Sequence, residues 1–156
     1  VALWQGGELI AGAVAQPMLG ETFNTGTPPV VAGLGDATHR AGRAPRIAVS
    51  RSRPPAFVQA LAEDLGAELV PMGSAGVKMM SVVRDVADAY VHAGGQYEWD
   101  SAAPVAVARA AGLFTSRVDG SELRYNQAEV YLPDVIVCRP ELAEGIVAFI
   151  AAHGTD

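Results

Sequence analysis

The most informative acidic residue of the sequence is Asp100, at the predicted start of a helix that follows Gly94-Gly95. A carboxylate in the first turn of a helix is stabilised by the helix dipole and by free backbone amides, so it stays ionised and can bind a cation. Asp is also among the commonest N-cap residues. The local sequence therefore leaves two interpretations open for Asp100, a cation ligand or a plain helix cap.

A turn of small residues, Gly73-Ser74-Ala75-Gly76, follows a predicted strand and precedes a predicted helix that carries Lys78. Several backbone amides at such a junction can bind an anion, as helix N-termini do. The alternative is a turn that merely needs small residues. Next to Asp100, the pattern favours an anion site.

A second polar segment, Ser50-Arg51-Ser52-Arg53, also comes directly after a predicted strand. Its two guanidinium groups and two hydroxyls suit a phosphate group, because a guanidinium presents paired donors to phosphate oxygens. A solvated basic loop is the alternative. The segment is thus a second candidate anion site, with Arg51 and Arg53 as its charged residues.

The run Glu98-Trp99-Asp100-Ser101-Ala102-Ala103-Pro104 contains the pattern Trp-Asp-x-Ala-Ala-Pro. This pattern resembles the second sequence signature of the inositol monophosphatase superfamily. The turn at Gly73 and the later run Asp88-Ala-Tyr-Val-His-Ala resemble other family segments, and they occur in the family's order within residues 46–140. The resemblance implies hydrolysis of a phosphate monoester by a metal-activated water, with Asp100 binding magnesium and touching substrate.

Within the superfamily, Lys78 and the run from Gly94 to Asp100 resemble the 3'(2'),5'-bisphosphate nucleotidase branch. That resemblance implies removal of the 3'-phosphate of adenosine 3',5'-bisphosphate, a by-product of sulfate transfer. His92 stands where the inositol phosphatase branch usually has an acidic residue. A histidine that is simply hydrogen-bonded at a strand end is the alternative for His92. Inositol 1-phosphate and fructose 1,6-bisphosphate are the alternative substrates.

The resemblance also implies which residues contact the substrate. The segment Leu123-Arg124-Tyr125-Asn126 resembles the family segment near the nucleotide base, so Tyr125 is expected to stack on adenine and Arg124 to meet a phosphate. The full set of expected substrate contacts is Gly73, Ser74, Ala75, Lys78, Arg51, Arg53, His92, Arg124 and Tyr125, with Asp100 as the catalytic and metal-binding residue.

The family's first signature, Asp-Pro-(Ile/Leu)-Asp-Gly-Thr, is absent from the sequence. In the family this segment and an upstream Glu supply most magnesium ligands, and one carboxylate cannot build a site for two or three metals. The chain also begins Val1-Ala-Leu-Trp4 without an initiator Met. We therefore expect a missing N-terminal half as a partner, and an inert fragment or interaction module as the alternative function. The family resemblance also suggests a homodimer.

The predicted elements fall into two groups. Residues 1–31 read as strands, with a hairpin signal at Gly6-Gly7, and residues 32–45 lack periodicity and are predicted to form a mobile surface loop. Strands and helices then alternate, with helices predicted at 57–65, 77–86, 99–112 and 141–152. The prediction is the C-terminal α/β layer of an inositol monophosphatase-like αβαβα sandwich (46–156), preceded by strands of the N-terminal antiparallel sheet (1–45).

Composition sets the remaining limits. Half of the residues are apolar and 18% are charged, which fits a compact globular protein. The net charge of -6 with scattered basic residues argues against nucleic acid as a partner. The apolar stretch from Gly145 to Ala152 is too short to span a bilayer, so no membrane partner is expected. The single cysteine, Cys138, allows no intramolecular disulfide, and a cytoplasmic location is predicted.

Overall fold

A computed structural model describes residues 1–36, 38–52 and 54–155 of the chain. The first three strands are β1 (Ala2–Gln5), β2 (Glu8–Gln16) and β3 (Glu21–Asn24), which form an antiparallel sheet in the order β1-β2-β3. Gly6 and Gly7 make the turn between β1 and β2, and both have positive φ, where L side chains are disfavoured. The hairpin predicted from Gly6-Gly7 is confirmed.

The second sheet has five strands in the order β5-β4-β6-β8-β7. Strand β4 is parallel to β5 and β6, whereas β8 is antiparallel to β6 and β7. The central strands are nearly continuous apolar runs because both faces of the sheet are covered. The bounds are β4 (Arg46–Ser50), β5 (Glu68–Met72), β6 (Ala89–Ala93), β7 (Phe114–Ser116) and β8 (Asp134–Cys138).

In the described part of the chain, four α-helices cover the two faces of this sheet: α1 (Phe57–Leu65), α2 (Ala75–Val83), α3 (Glu98–Ala110) and α4 (Pro140–His153). Alternate strand residues point to opposite faces of a sheet, and they divide here between two cores. One core joins the sheet to α1 and α4, and the other joins it to α2, α3 and the three-stranded sheet. The predicted α/β layer with adjoining antiparallel strands is confirmed.

Helix α3 lies directly against strand β2. A Cβ atom added to Gly12 would be 2.7 Å from Cβ of Ala106 and 2.9 Å from the carbonyl oxygen of Ala103. Small residues on both elements therefore set this short separation. The division at residue 45 into two units stays a prediction, and the contact between α3 and β2 crosses it.

Residues 32–36 and 38–45 are mostly exposed turns, as predicted for a surface loop, and two arginine contacts fix the segment to the rest of the fold. Its mobility stays a prediction. Arg139, only 1% exposed, donates hydrogen bonds to the carbonyl oxygens of Ala32 at 3.1 Å and Gly33 at 2.7 Å. Arg40 forms an ion pair with Asp88, with Nε 2.7 Å from Oδ1. The anchoring partners lie far away in the chain, so local composition could not reveal them.

The predicted element bounds agree closely with the structure, and α2 shows the main difference. It runs from Ala75 to Val83 instead of 77–86, because Ser74 caps it: the Ser74 hydroxyl accepts a hydrogen bond from the Val77 amide at 3.5 Å. Within the described ranges, no helix combines the length and apolar character needed to cross a membrane.

Candidate active site

A cleft of about 490 Å³ opens at the carboxyl ends of β4 and β6. These strands are parallel, so their carboxyl ends lie at the same edge of the sheet, where open α/β sheets commonly bind ligands. The first turns of α2 and α3 reach the same edge. The cleft is lined by Ser50, Pro54, Pro55, Ala75, Lys78, His92, Ala93, Gly94, Gly95, Gln96 and Asp100.

Asp100 is half-buried in the wall of this cleft. It is the third residue of α3, whose N-cap is Tyr97, and its Oδ2 accepts a hydrogen bond from the Tyr97 amide at 2.9 Å. Its Oδ1 accepts no hydrogen bond from any described residue. Asp100 thus stabilises the helix start with one oxygen and leaves the other for a ligand. Its role as a cation ligand stays a prediction.

Lys78 supplies the positive charge of the cleft although its side chain is only 5% exposed. Its ammonium donates a hydrogen bond to the Ser74 carbonyl oxygen at 3.1 Å and lies 5.3 Å from the centre of the Tyr90 ring. Burial lowers the pKa of Lys78. Since an ammonium held away from water gains strongly from an anion, Lys78 is placed to bind a phosphate group.

The start of α2 forms a second wall of the cleft. Gly73 and Ser74 are exposed just outside the helix, and Ala75 lines the cleft. Ser74 has φ of 61°, unusual for a residue with a side chain, and holds its hydroxyl near the Val77 amide. Because the first amides of a helix lack internal partners, this turn can bind an anion beside Lys78.

His92 lines the cleft with one ring nitrogen already engaged. Its Nε2 donates a hydrogen bond to the Gly94 carbonyl oxygen at 2.5 Å. Burial lowers the pKa of His92, and the charge of Lys78 acts in the same direction, so the imidazole is neutral at neutral pH. Nε2 is hydrogen-bonded, as expected of a strand-end histidine, whereas Nδ1 is buried without a hydrogen-bond partner among the described residues. A substrate contact by His92 stays a prediction.

Tyr90 and Gln96 form a buried polar pair beside His92. Gln96 Nε2 donates a hydrogen bond to the Tyr90 hydroxyl at 2.9 Å, and the Tyr90 and His92 rings stack with centres 6.1 Å apart. Burial raises the pKa of Tyr90, with the Asp100 charge adding to the effect. Gln96 lines the cleft, and its hydrogen bond to the fully buried Tyr90 hydroxyl orients its side-chain amide.

Tyr125 and Arg124 do not line the cleft. The Tyr125 ring is buried in the apolar core, only 4% exposed, and its hydroxyl lies 3.0 Å from the Ser101 hydroxyl. Burial raises the pKa of Tyr125 to about 12. A ring within the core cannot stack on a base, so the stacking role expected for Tyr125 does not fit. Arg124 lines two other depressions, both shared with Glu122 and Gln127.

The basic segment after β4 reaches the cleft only in part. Arg51 is exposed, and its amide donates to the Met72 carbonyl oxygen at 3.0 Å, but it is not among the lining residues. Its neighbours Ser50, Pro54 and Pro55 are. Arg53 lies outside the described residues. The phosphate contact expected of Arg51 stays a prediction.

The acidic residue that lines the cleft, Asp100, could supply one ligand of a magnesium site. Magnesium prefers six oxygens in near-octahedral geometry, usually with one or two carboxylates. Residues 1–36, 38–52 and 54–155 contain no group of three or more His, Cys, Asp or Glu side chains placed to hold a metal. Asp100 can therefore offer one carboxylate oxygen, and these residues do not complete a metal site.

Two features near the cleft were not predicted from the sequence: the buried Tyr90–Gln96 pair and three exposed aromatic rings. Tyr90 and Gln96 belong to runs that carried the family resemblance, yet neither was singled out. For Gln96 an available signal was its place three residues after the carboxyl end of β6, because ligands bind at such strand ends. Nothing local distinguishes Trp99 or Tyr131 from core aromatics.

A model of the inositol monophosphatase family matches residues 1–154, and the chain belongs to that family. A Mycobacterium leprae protein named 3'-phosphoadenosine 5'-phosphate phosphatase is 45% identical over 160 residues, covering 96% of this chain and 58% of the relative. A Mycobacterium tuberculosis protein of the same name is 54% identical over 106 residues, 68% of this chain and 40% of the relative. The predicted resemblance to the nucleotidase branch is confirmed, and the chain spans roughly half the length of these relatives.

Solved structures agree on the fold. The Thermotoga maritima IMPase superposes with a TM-score of 0.71 at 18% identity, covering 97% of this chain and 59% of that one. CysQ from Bacteroides thetaiotaomicron, a bacterial member of the family, gives a TM-score of 0.56 at 31% identity over 64% of this chain and 38% of its own. The predicted inositol monophosphatase-like fold is confirmed.

Proposed function

We propose that the whole protein is a magnesium-dependent phosphatase that removes the 3'-phosphate of adenosine 3',5'-bisphosphate. The observation that carries the proposal is that Asp100 and Lys78, a carboxylate and a buried ammonium, line one cleft. A site for a phosphate and its cation needs both charges within one small volume. The mycobacterial relatives, named for this nucleotide, support the choice of substrate.

Different residues of this chain would bind the metal ion and the phosphate. Asp100 would hold one magnesium through Oδ1, and the bound ion would supply charge neutralisation at the phosphoryl oxygens. Lys78 and the first amides of α2 would bind the phosphate that is removed. Gln96 would line the site, oriented by its hydrogen bond to Tyr90. The remaining metal ligands would come from the rest of the whole protein, and a role in cytoplasmic sulfur assimilation follows from the substrate.

The test is release of phosphate by the full-length protein from adenosine 3',5'-bisphosphate and from inositol 1-phosphate. We expect a preference for the nucleotide and a fall in kcat/KM of at least about 100-fold in Asp100→Asn, because a charge that stabilises the transition state is lost. Asp64→Asn, an exposed carboxylate on α1, is the matched control and should stay near wild type.

Two results would overturn the proposal separately. A preference for inositol 1-phosphate would reject the nucleotide as substrate. Near-normal activity of Asp100→Asn would reject the cleft as the active site.

A further inference from the structure

Three exposed aromatic side chains, Tyr97, Trp99 and Tyr131, form a cluster that we call the aromatic rim. Their exposed fractions are 41%, 66% and 45%. Tyr97 stacks on Trp99 with ring centres 4.8 Å apart and an interplanar angle of 6°, and it meets Tyr131 edge to face at 5.5 Å. Exposed aromatic rings gathered in one patch are typical of binding surfaces.

The backbone holds the rim in place from two sides. Tyr97 and Tyr131 face each other in an antiparallel β-bridge, and the Glu98 amide donates to the Val130 carbonyl oxygen at 3.0 Å. The Glu98 carboxylate accepts hydrogen bonds from the amides of Asn126 at 2.8 Å and Gln127 at 2.9 Å. The rings are thus ordered before any ligand arrives, which lowers the entropic cost of binding.

The rim adjoins the cleft, although Tyr131 itself lines a neighbouring depression together with Glu98 and Glu129. Gly95, a lining residue, donates its amide hydrogen to the Tyr131 hydroxyl at 3.1 Å, and the lining residue Asp100 directly follows Trp99. The only aromatic ring that lines the cleft is that of His92 among the described residues, and it is small and partly engaged. The rim therefore offers a stacking surface for the flat ring of a ligand whose phosphate binds near Lys78.

We propose that the aromatic rim binds the purine base of the substrate, with Trp99 as the principal stacking surface. Base-aromatic stacking suits any heterocycle because every base has a π-face. Trp99 has one face covered by Tyr97 and two-thirds of its side chain open. This inference rests on the proposed function. The rim would stack on the base in place of Tyr125, whose ring is buried.

The test compares full-length wild type, Trp99→Ala and Trp99→Phe on a substrate with a base and one without. We expect Trp99→Ala to raise KM for adenosine 3',5'-bisphosphate by about 10-fold or more. Its kcat should change much less, and the kinetics on inositol 1-phosphate should stay near wild type. Trp99→Phe, which keeps a ring, should recover most of the affinity.

Other outcomes reject the inference. An equal loss on both substrates would show that Trp99 only positions Asp100, and unchanged KM for the nucleotide would leave the rim to another occupant, such as a protein. Calorimetric binding of adenosine monophosphate to wild type and Trp99→Ala reports the base contact even without turnover. The substrate preference of wild type tests the proposed function, whereas the effect of Trp99→Ala on base binding tests this inference.

Discussion

At the scale of single residues, the cleft combines groups that folding alone would not favour. Lys78 is buried without a carboxylate as hydrogen-bond partner among the described residues, and its ammonium is held by one carbonyl oxygen and one aromatic ring. Ser74 adopts a backbone conformation that side chains rarely take. A buried charge and a strained backbone both cost free energy of folding, and such features are commonest at ligand-binding sites. Both residues lie at the edge of the sheet that carries Asp100.

His92 makes a pH dependence testable at this scale. Burial lowers its pKa from the ordinary value of 6.5, so folding favours the neutral ring. This contribution to stability is complete above pH 6.5 and is lost as the pH falls through the lower pKa of the folded state. We expect the melting temperature of His92→Gln to fall less than that of wild type between neutral pH and pH 5.

Thermal unfolding at a series of pH values, followed by circular dichroism, measures this difference. Ala60→Ser, at an exposed position of α1 without a titratable side chain, is the control and should keep the wild-type profile. Identical pH profiles for His92→Gln and wild type would show that His92 is not the titrating group.

At the scale of elements, the contact between α3 and β2 fixes the helix that carries Asp100. Gly12 faces Ala103 and Ala106, so small residues on both sides allow a separation that larger ones would prevent. The Ala-rich body of α3 therefore has a packing role as well as a high helix propensity. Moving this helix would move Asp100 relative to Lys78.

Gly12→Ala tests this close packing. The added methyl group would overlap Ala106 and the Ala103 carbonyl oxygen, and overpacking of this kind destabilises by roughly 1–3 kcal/mol. Urea unfolding gives the free energy of unfolding directly. Gly73→Ala is the matched control for stability, because its Cβ would meet no atom within 4 Å. Equal stability of the two variants would contradict the close approach.

At the scale of the whole molecule, the chain has the family's fold but supplies only some of the ligands that a magnesium site needs. The chain matches the inositol monophosphatase family over residues 1–154 and spans about half the length of its curated relatives. One carboxylate at the cleft and no metal-binding cluster among the described residues imply that magnesium binding needs further ligands. Activity is therefore proposed for the whole protein only.

Magnesium titration tests this view of the whole molecule. We expect the 156-residue chain to bind magnesium weakly, with a dissociation constant on the order of millimolar, and the full-length protein to bind at least about 10-fold more tightly, because more oxygen ligands converge. Isothermal titration calorimetry measures both, with circular dichroism to verify that the shorter chain is folded. Tight binding of several ions by the 156-residue chain would contradict the prediction.

Much of the fold follows from local pattern. Strand β4 and the helix from Phe57 to Leu65 could be placed closely, because apolar periodicity and the Gly66 stop signal are local properties. Asp100 could be singled out because its neighbours form a family signature. The start of α2 was harder, since the cap at Ser74 depends on a backbone conformation that sequence pattern does not specify.

Local sequence was enough to predict the alternation of strands and helices and the family, and to single out Asp100 as a candidate site residue. Three features became visible only in the folded chain: Tyr125 lies in the core, the aromatic rim is exposed, and Arg40 and Arg139 anchor the segment after residue 31. The physical reason is that burial and pairing depend on contacts between residues far apart in the chain. Spacing along the chain carries little information about such contacts, whereas caps, turns and periodicity arise within a few residues.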